Sequence, residues 1–470
     1  MTIEKLLIAN RGEIAVRIIR AAKEMGIHTV QVYSEADKES LAVKLADEAI
    51  CIGAPMANQS YLCGDKVIQA AEQSGADAIH PGYGFLSENA SFSDDVRKAG
   101  IIFVGPSGQT MTKMADKARA RETAMAAGVP VVPGSAPSDN PEAALEQAKL
   151  IGFPVMIKAS AGGGGRGIRV IEDESEFLTQ YHQASAEAQS AFGDGTLYLE
   201  KFIRQSRHVE VQILADGLNA VHLFERECSL QRRRQKVWEE APCAVLPDLV
   251  REAMCQSAVS LAKSVNYKGA GTIEFLYDDE SESFYFIEMN TRIQVEHPIT
   301  EAITGVDLIR EMIQIASGQH LSLKQEDIQR RGHAIEIRLN AEDPFNGFLP
   351  FPGVIKSFTP PMGSGVRFDG LIYSGFAIPP YYDSLLGKLI VWDEDRESAI
   401  HRMARALDEL SIEGVKTTQP LFQKLCEAPD VINGNFHTAW LEQWLETLDA
   451  PKPEQGQSDN KKDCSLPQAS

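Results

Sequence analysis

The sequence predicts a multidomain protein in which an α/β, Rossmann-like N-terminal domain precedes α+β units built on antiparallel sheet. Three observations support this fold class. The chain has 470 residues, enough for two to four domains of roughly 100–200 residues each. Short apolar strands alternate with helical patterns near the N-terminus, and later strands alternate apolar with polar residues. A composition of 43% hydrophobic and 24% charged residues is that of an ordinary globular protein.

Composition and charge exclude several classes of protein. The chain carries 46 Lys and Arg against 66 Asp and Glu, and the net charge of −20 repels nucleic-acid phosphates, so we expect no nucleic-acid partner. Apolar stretches such as Ile101–Val104 fall far short of the ~20 residues of a membrane-spanning helix, so we expect no membrane association. Seven scattered cysteines without a CxxC pair, and an N-terminus without an apolar leader, predict a reduced, cytoplasmic protein.

The first domain is predicted from alternating strands and helices. Helical spacing marks Gly12–Met25 and Lys66–Gln73. The predicted strands are Leu6–Ala9, Thr29–Tyr33, Ala49–Ile52, Ala78–His80 and Ile101–Val104. This alternation indicates parallel βαβ units with right-handed crossovers. We expect the Rossmann-like domain to occupy residues 1–115.

Breaker residues and a glycine run divide the rest of the chain. A helical linker at Thr110–Ala127 leads into a small α+β unit, in which strands Phe153–Ala159 and Ile168–Ile171 flank the glycines and form a hairpin. We assign linker and hairpin unit to residues 116–203, a larger antiparallel-sheet domain to 204–448 and a disordered tail to 449–470. The strands predicted in the larger domain are Val209–Leu214, Ala220–Glu225, Thr272–Tyr277, Phe284–Met289 and Ala334–Asn340.

The glycine run Gly162–Gly167 carries the first indication of chemistry. It combines five glycines with one arginine, and backbone N–H groups of glycine approach phosphate oxygens closely because no Cβ intervenes. Lys158, just before the run, would direct a cation at the same phosphates. A flexible surface loop is the alternative interpretation.

Acidic residues on two predicted strands indicate a metal site. Glu288 and Asn290 lie two residues apart and therefore share a strand face, and Glu274 lies on a strand that could pair with theirs. Two carboxylates and an amide oxygen are hard ligands that suit Mg²⁺ or Mn²⁺. Solvated carboxylates on a strand are the alternative.

The next residues indicate an anion site that contains a base. Arg292, Gln294 and Glu296 continue the alternation, but a straight strand would spread the eight steps from Glu288 over ~26 Å. A bend after Asn290 would gather an arginine, an amide and a carboxylate beside the metal. Without the bend, these residues would form the exposed face of an edge strand.

Two further segments supply cations. Alternation places Arg232, Arg234 and Lys236 on one face, a basic patch that suits small polyanions unless neighbouring glutamates balance it at the surface. In GHAIEIRLNAEDP, Arg338 faces away from the core and could stabilise a developing negative charge. A structural ion pair of Arg338 with Glu336 or a neighbour is the alternative.

Together these segments resemble the biotin carboxylases of the ATP-grasp superfamily. The resemblance covers about residues 1–445, and its most specific motifs are KASAGGGGRG and FIEMNTRIQVEHPITE. It implies an ATP-grasp lid within residues 116–203, with ATP bound between the lid and the C-terminal domain. It also implies an enzyme that carboxylates biotin with bicarbonate and ATP through carboxyphosphate, in which clamps for phosphoryl charge matter more than covalent groups.

The resemblance implies a role for each matching residue. Glu296 would deprotonate bicarbonate, and we expect it to lie between Arg292 and Lys236. Lys236 would stabilise carboxyphosphate, and Arg338 would stabilise the biotin enolate. Tyr83 would lie near the biotin ring.

The ligand contacts follow from the same matches. The implied bicarbonate-binding groups are Arg292, Gln294 and the backbone of Val295. The implied metal ligands are Glu274, Glu288 and Asn290. The implied ATP-binding residues are Lys117, Lys158, Gly163, Gly164, Gly165, Glu200, Lys201, Ile203, His208, Gln231 and Arg234. Arg234 departs from the family, because many members have His there and a guanidinium is always charged.

The resemblance also implies cofactors and partners. These are ATP, Mg²⁺ or Mn²⁺, and biotin as a carrier-bound substrate. The family's biotin-bearing motif is unmatched, because the nearest string, Met111–Met114, lies in a helical stretch. We therefore expect a separate biotin carboxyl carrier protein, carboxyltransferase subunits and a homodimer, with acetyl-CoA carboxylase of fatty-acid synthesis as the parent system. The alternatives are another ATP-grasp carboxylate or amine ligase, the corresponding subunit of a different biotin-dependent carboxylase, and a non-catalytic nucleotide-binding subunit.

Overall fold

The computed structural model describes residues 2–160 and 169–449, with the backbone alone at residues 191, 192 and 449. The predicted glycine tip, including Gly163, Gly164 and Gly165, lies outside the described residues, and so does the predicted tail beyond residue 449. Within the described part of the chain, none of the helices combines the length and the apolar composition that a membrane crossing requires.

The N-terminal unit is built on a five-stranded parallel sheet. Its strands are β1 (Lys5–Ile8), β2 (His28–Ser34), β3 (Glu48–Gly53), β4 (Ala78–His80) and β5 (Ile102–Phe103), and its helices are α1 (Gly12–Glu24), α2 (Leu41–Leu45), α3 (Gly64–Ser74) and α4 (Ala90–Lys98). The strand order β3-β2-β1-β4-β5, with every pair parallel, confirms the predicted βαβ units. Leu6 and Ile8 pack into one core with α1, whereas Leu7 packs into the core on the opposite face. Both faces are covered, which explains the uninterrupted apolar run.

The predicted single linker helix is instead two helices, α5 (Gly108–Ala115) and α6 (Lys117–Ala126). Asp116 separates them in an extended conformation, and its side chain accepts a hydrogen bond from the backbone N–H of Arg119. The prediction of one helix was wrong because aspartate satisfies the free N–H groups of a new helix better than it continues an old one.

The next unit is a three-stranded sheet packed against helices. Its elements are α7 (Pro141–Ile151), β6 (Val155–Ala159), β7 (Arg169–Ile171), α8 (Glu174–Phe192) and β8 (Leu197–Lys201). The sheet order is β7-β6-β8, and the antiparallel pairing of β6 with β7 confirms the predicted hairpin. Val155 and Ile157 of β6 pack against Phe177 and Tyr181 of α8.

The C-terminal unit is built on an eight-stranded antiparallel sheet, as predicted. The strands are β9 (Ser206–Asp216), β10 (Ala220–Arg232), β11 (Gln235–Ala241), β12 (Lys268–Asp278), β13 (Ser283–Asn290), β14 (His333–Asn340), β15 (Glu342–Asp343), β16 (Leu349–Pro350), β17 (Ser357–Thr359), β18 (Val366–Gly370), β19 (Leu385–Asp393) and β20 (Ser411–Glu413). The helices are α9 (Asp248–Ser264), α10 (His297–Thr304), α11 (Leu308–Ala316), α12 (Arg396–Glu409), α13 (Gln419–Glu427), α14 (Pro429–Ile432) and α15 (Trp440–Asp449). The sheet order is β13-β12-β9-β10-β11-β14-β19-β18.

The basic segment is a tight hairpin and not a continuous strand. Arg232 pairs with Gln235, and the two residues between them, Arg233 and Arg234, have φ of 49° and 65°. Two consecutive residues with positive φ form the turn that fits the twist of a hairpin. The prediction that Arg232, Arg234 and Lys236 share a strand face was therefore wrong: Arg234 is exposed in the turn.

Candidate active site

The chain bends where β13 ends, as the sequence predicted. β13 stops at Asn290, and α10 begins at His297, with a proline in its first turn where a missing N–H costs no hydrogen bond. Residues 291–296, here called the bend segment, connect the two elements. Gln294 and Glu296 of this segment are buried. The bend thus delivers polar side chains to one place instead of spreading them along an edge.

Glu296 lies between two cations that come from different strands. Lys236 Nζ donates to Glu296 Oε1 at 2.8 Å, and Arg338 Nη2 donates to Glu296 Oε2 at 3.0 Å. The expectation that Arg292 would be one of these neighbours was wrong. Arg292 Nε instead donates to Glu88 Oε2 at 2.9 Å, and its Nη2 contacts Asn290. The bend directs this arginine toward the N-terminal unit.

These contacts set the ionisation of Glu296. Burial acts to raise the pKa of the Glu296 carboxyl, but the charges of Lys236 and Arg338 outweigh it and the pKa lies below its usual range. The carboxylate is therefore free of a proton at neutral pH. It becomes an effective base only when a ligand draws its cations away, because a carboxylate held by cations binds protons weakly.

Lys236 is shared by three buried carboxylates. Its Nζ contacts Glu210 Oε2 at 2.5 Å, Glu274 Oε1 at 3.1 Å and Glu296 Oε1 at 2.8 Å. Arg226 of β10 is fully buried and donates from Nε to Glu210 at 2.7 Å. Its other nitrogens reach Gln212, Thr272 and Gln294. This network ties four neighbouring strands to the bend segment and fixes the position of Lys236.

Glu274 and Glu288 lie opposite each other on β12 and β13, as the sequence predicted. Burial, followed by the charge of Glu274, raises the pKa of the Glu288 carboxyl. Two facing carboxylates, one of them resisting ionisation, favour a divalent cation between them. Asn290 follows on the same strand and offers an amide oxygen. This set of hard oxygen atoms fits Mg²⁺.

Two other groups of possible metal ligands occur among the described residues, and protonation argues against both. One joins His208 to Glu210 and Glu274, and the other joins Cys228 to Glu210 and Glu296. Although burial opposes it, the charge of Glu274 helps to raise the pKa of His208 to about 9, so this imidazole carries two protons at neutral pH. Burial raises the pKa of the Cys228 thiol well above its usual range. A protonated imidazole or thiol does not bind a metal.

We expect His208 to behave as a cation through neutral pH. Its raised pKa means that its stabilising contribution is complete below its ordinary pKa of 6.5 and is lost as the pH rises through about 9. An NMR titration of the wild-type imidazole resonances should show a midpoint near 9 for His208. Relative to a His208→Gln variant, the wild type should lose free energy of unfolding over the same interval. A midpoint near 6.5 would contradict this assignment.

Arg338 bridges two carboxylates. Its Nε donates to Glu239 Oε1 at 2.6 Å, while Nη2 contacts Glu296. The ion pair with Glu336 that the sequence left open is not the one formed. Glu336 lies opposite Glu239 in the strand register, and neither of its carboxyl oxygens has a hydrogen-bond partner among the described residues. Burial raises the pKa of Glu336 well above its usual range, so it is a neutral carboxylic acid.

This neutral state predicts that Glu336→Gln is tolerated. The amide has nearly the same shape and no charge, so the free energy of unfolding should change by no more than about 1 kcal/mol. Glu239→Gln is the matched control on the facing strand, and it should cost more because Arg338 loses a charged partner. Denaturant unfolding of both variants at pH 7 measures the difference. Equal losses would mean that Glu336 is ionised.

A cavity of about 200 Å³ opens beside the candidate metal ligands. Lys117, the first residue of α6, lines it together with Glu288 and Asn290. Met111 and Met114 contribute apolar walls. An exposed cation, acidic metal ligands and apolar walls are the features that a nucleotide site requires.

The remaining predicted residues are distributed around this centre. On the hairpin unit, Lys158 forms an ion pair with Glu200, and Lys201 Nζ donates to the backbone carbonyls of Gly152 and Phe153 at 2.9 and 3.1 Å.

Four others lie on neighbouring segments. Ile203 follows β8 and is half-buried, Gln231 donates to the carbonyl of Cys228, and the carbonyl of Val295 accepts a hydrogen bond from Lys388. Tyr83 donates its hydroxyl to Glu13.

Several residues of the site were missed by the sequence analysis. They are Glu88, Glu210, Arg226, Glu239 and Lys388. One signal was available: in RHVEVQ the residues His208, Glu210 and Gln212 alternate with apolar residues that pack against α9. The others come from distant parts of the chain and gave no local pattern.

Fold and site together define an ATP-dependent ligase of the ATP-grasp class. The family "Carbamoyl-phosphate synthase L chain, ATP binding domain" matches residues 116–324, and the N-terminal and C-terminal domains of biotin carboxylase match residues 2–111 and 336–443. The chain belongs to the biotin carboxylase family, and its activity is the ATP-dependent carboxylation of biotin.

Relatives of similar length support this membership. The chain is 54% identical to biotin carboxylase 1 of Bacillus subtilis over 94% of this chain and 98% of that protein. It is 49% identical to a pyruvate carboxylase subunit of Methanothermobacter thermautotrophicus, over 95% and 91%. Among solved structures, the biotin carboxylase domain dimer of Hydrogenobacter thermophilus 2-oxoglutarate carboxylase, in complex with MgADP, ADP and bicarbonate, is 48% identical with a TM-score of 0.83, over 96% and 100%.

Proposed function

We propose that this chain carboxylates biotin held on a separate biotin carboxyl carrier protein, as the first half-reaction of a multi-subunit acyl-CoA carboxylase. The parent system proposed is acetyl-CoA carboxylase of fatty-acid synthesis. The observation that carries the chemistry is the burial of Glu296 between Lys236 and Arg338, beside the facing carboxylates Glu274 and Glu288.

In the first step, bicarbonate becomes a nucleophile. Glu296 takes its proton, a bicarbonate oxygen bonds to the γ-phosphorus of ATP, and the bond to the ADP oxygen breaks, so that carboxyphosphate and ADP result. Glu274, Glu288 and Asn290 would hold Mg²⁺ or Mn²⁺, which supplies neutralisation of phosphate charge. Arg292 is available to bind bicarbonate, since its partner Glu88 is 41% exposed and exchangeable. Gln294 and the Val295 backbone lie in the same segment.

Proton transfer also prepares the second step. A protonated Glu296 no longer holds Lys236 and Arg338 by charge, so both cations become available. Lys236 then stabilises carboxyphosphate, whose carbon–oxygen bond breaks to give CO₂ and phosphate. Arg338 stabilises the enolate of biotin, whose ring nitrogen bonds to CO₂, with Tyr83 beside the ring. The ion pairs of the resting site thus keep both cations in place until bicarbonate is activated.

The nucleotide-binding proposal extends over the hairpin unit and the C-terminal sheet. The residues proposed to contact ATP are Lys117, Lys158, Gly163, Gly164, Gly165, Glu200, Lys201, Ile203, His208, Gln231 and Arg234. We also propose the domain limits 1–115, 116–203 and 204–448, the middle domain closing over ATP to exclude water. A homodimer is proposed because the solved Hydrogenobacter thermophilus relative is one.

Cysteine chemistry bears on the compartment. The six cysteines among the described residues are all free thiols. This supports the proposed location in a reducing compartment, the cytoplasm.

Two experiments test the proposal. ATP hydrolysis that requires bicarbonate and is stimulated by free biotin separates this activity from that of another ATP-grasp ligase. Capture of a small biotinylated partner, followed by acceptor tests with the assembled complex, identifies the parent system. Carboxylation of acetyl-CoA supports the proposal. Transfer to pyruvate instead would favour the branch of the Methanothermobacter relative, which is named for a pyruvate carboxylase.

A further inference from the structure

We propose that Lys388 is a positioning residue for the bend segment, and that a buried chain of contacts from Tyr83 through Glu13 and Lys388 to Val295 joins the two substrate sides of the site. The inference rests on the proposed function of the bend segment. It assigns a role to a lysine that touches neither substrate.

Lys388 lies on β19 with its side chain fully buried. Its Nζ donates to the carbonyl oxygen of Val295 at 2.6 Å and lies 3.2 Å from Glu13 Oε1. Taking an ammonium out of water costs several kcal/mol after relaxation. An apolar side chain of similar length would fill the same space without that cost. The retention of a charge here therefore points to the group that it holds.

The strand register places Lys388 directly opposite Arg338. Like charges directly opposite each other on neighbouring strands destabilise a sheet. Here the two cations hold two successive parts of the chain: Arg338 contacts the carboxylate of Glu296, and Lys388 contacts the carbonyl of the preceding residue, Val295. One cross-strand pair thus fixes both the side chain and the backbone of the proposed base.

Glu13 supplies the counter-charge from α1 of the N-terminal unit. Its Oε1 is also the acceptor for the hydroxyl of Tyr83, and its Oε2 has no hydrogen-bond partner among the described residues. Glu13 is therefore committed to Lys388 and Tyr83. Tyr83 is the residue proposed to lie beside biotin, so the N-terminal unit and the bend segment are connected by charged, buried contacts.

The consequence is positional. A displacement of about 1 Å at a reacting group can reduce a rate by 100-fold. Loss of the Lys388 contact frees the peptide between Val295 and Glu296 to rotate, so the carboxylate no longer faces bicarbonate. ATP binding, which uses other segments, should be spared.

The test is the double variant Lys388→Met/Glu13→Gln, which leaves no unpaired charge behind. We expect wild-type ADP affinity by calorimetry, a KM for bicarbonate raised about 10-fold and a kcat for biotin carboxylation lowered 10- to 100-fold. Lys388→Arg, which keeps a cation for the carbonyl, should recover part of the kcat. A folded double variant with unchanged kcat and KM for bicarbonate would overturn the proposal.

If the double variant does not fold, Glu13→Gln alone decides. It removes the counter-charge of Lys388 and keeps the shape, and the proposal expects a lowered kcat with unchanged ADP affinity. An unchanged kcat would overturn the chain of contacts. Failure of the proposed function is distinguishable, because the wild type itself would then show no bicarbonate-dependent ATP cleavage.

Discussion

Glu296→Gln should lower the kcat of biotin carboxylation by 10²- to 10⁴-fold, the range expected when a general base is removed. Glutamine keeps the shape and can still accept hydrogen bonds from Lys236 and Arg338, but it cannot take a proton. The position of both cations is therefore retained while the proton acceptor is lost. Steady-state rates with free biotin as acceptor measure the effect.

ATP binding separates this loss from a general loss of structure. Nucleotide contacts are proposed on other segments, so the Kd for ADP should stay within about 2-fold of the wild-type value, far from the tenfold that 1.4 kcal/mol would produce. Glu336→Gln, another buried glutamate, is the matched control and should keep its activity. Undiminished carboxylation by Glu296→Gln would remove Glu296 from the role of base.

Lys236→Met should have the largest effect on stability, about 3–5 kcal/mol of the free energy of unfolding, because it leaves Glu210, Glu274 and Glu296 without their shared cation. Activity should be lost as well, since no cation remains for carboxyphosphate. Lys5→Met, at the half-exposed pair with Glu48, is the control and should cost less than about 1 kcal/mol. Denaturant unfolding measures both, and equal losses would contradict the assigned role of Lys236.

The deficit of Lys236→Met should depend on pH. In the wild type the pKa of Glu210, Glu274 and Glu296 is lowered, although burial acts against this, so their contribution is present above the ordinary pKa and is lost as the pH falls. Without Lys236, burial dominates and these carboxyls take up protons more readily. The difference between the variant and the wild type should therefore shrink as the pH falls from 7 to 5. A constant difference would mean that the three carboxylates do not share this cation.

Local patterns predicted the parts of the site that depend on single strands. The pairing of Glu274 with Glu288 followed from two-residue alternation, and the bend after Asn290 followed from the reach of an extended chain. The parallel sheet and the antiparallel sheet followed from the apolar patterns of their strands.

Contacts between distant segments could not be predicted in the same way. The partner of Arg292 is Glu88, 204 positions away, and that of Arg338 is Glu239, 99 positions away. Nothing in the sequence near either arginine distinguishes one glutamate from another. The tight turn at Arg233 was hidden for a different reason, because it lacks the glycine or asparagine that usually marks positive φ.

The proposed chemistry depends on bicarbonate being the phosphoryl acceptor at Glu296. The decisive observation is the fate of oxygen from [¹⁸O]bicarbonate during ATP-dependent carboxylation of biotin. We expect one labelled oxygen in each inorganic phosphate released, because the oxygen that attacks the γ-phosphorus stays on it when carboxyphosphate breaks down. Phosphate without label, while carboxybiotin still forms, would show that bicarbonate is not phosphorylated at this site.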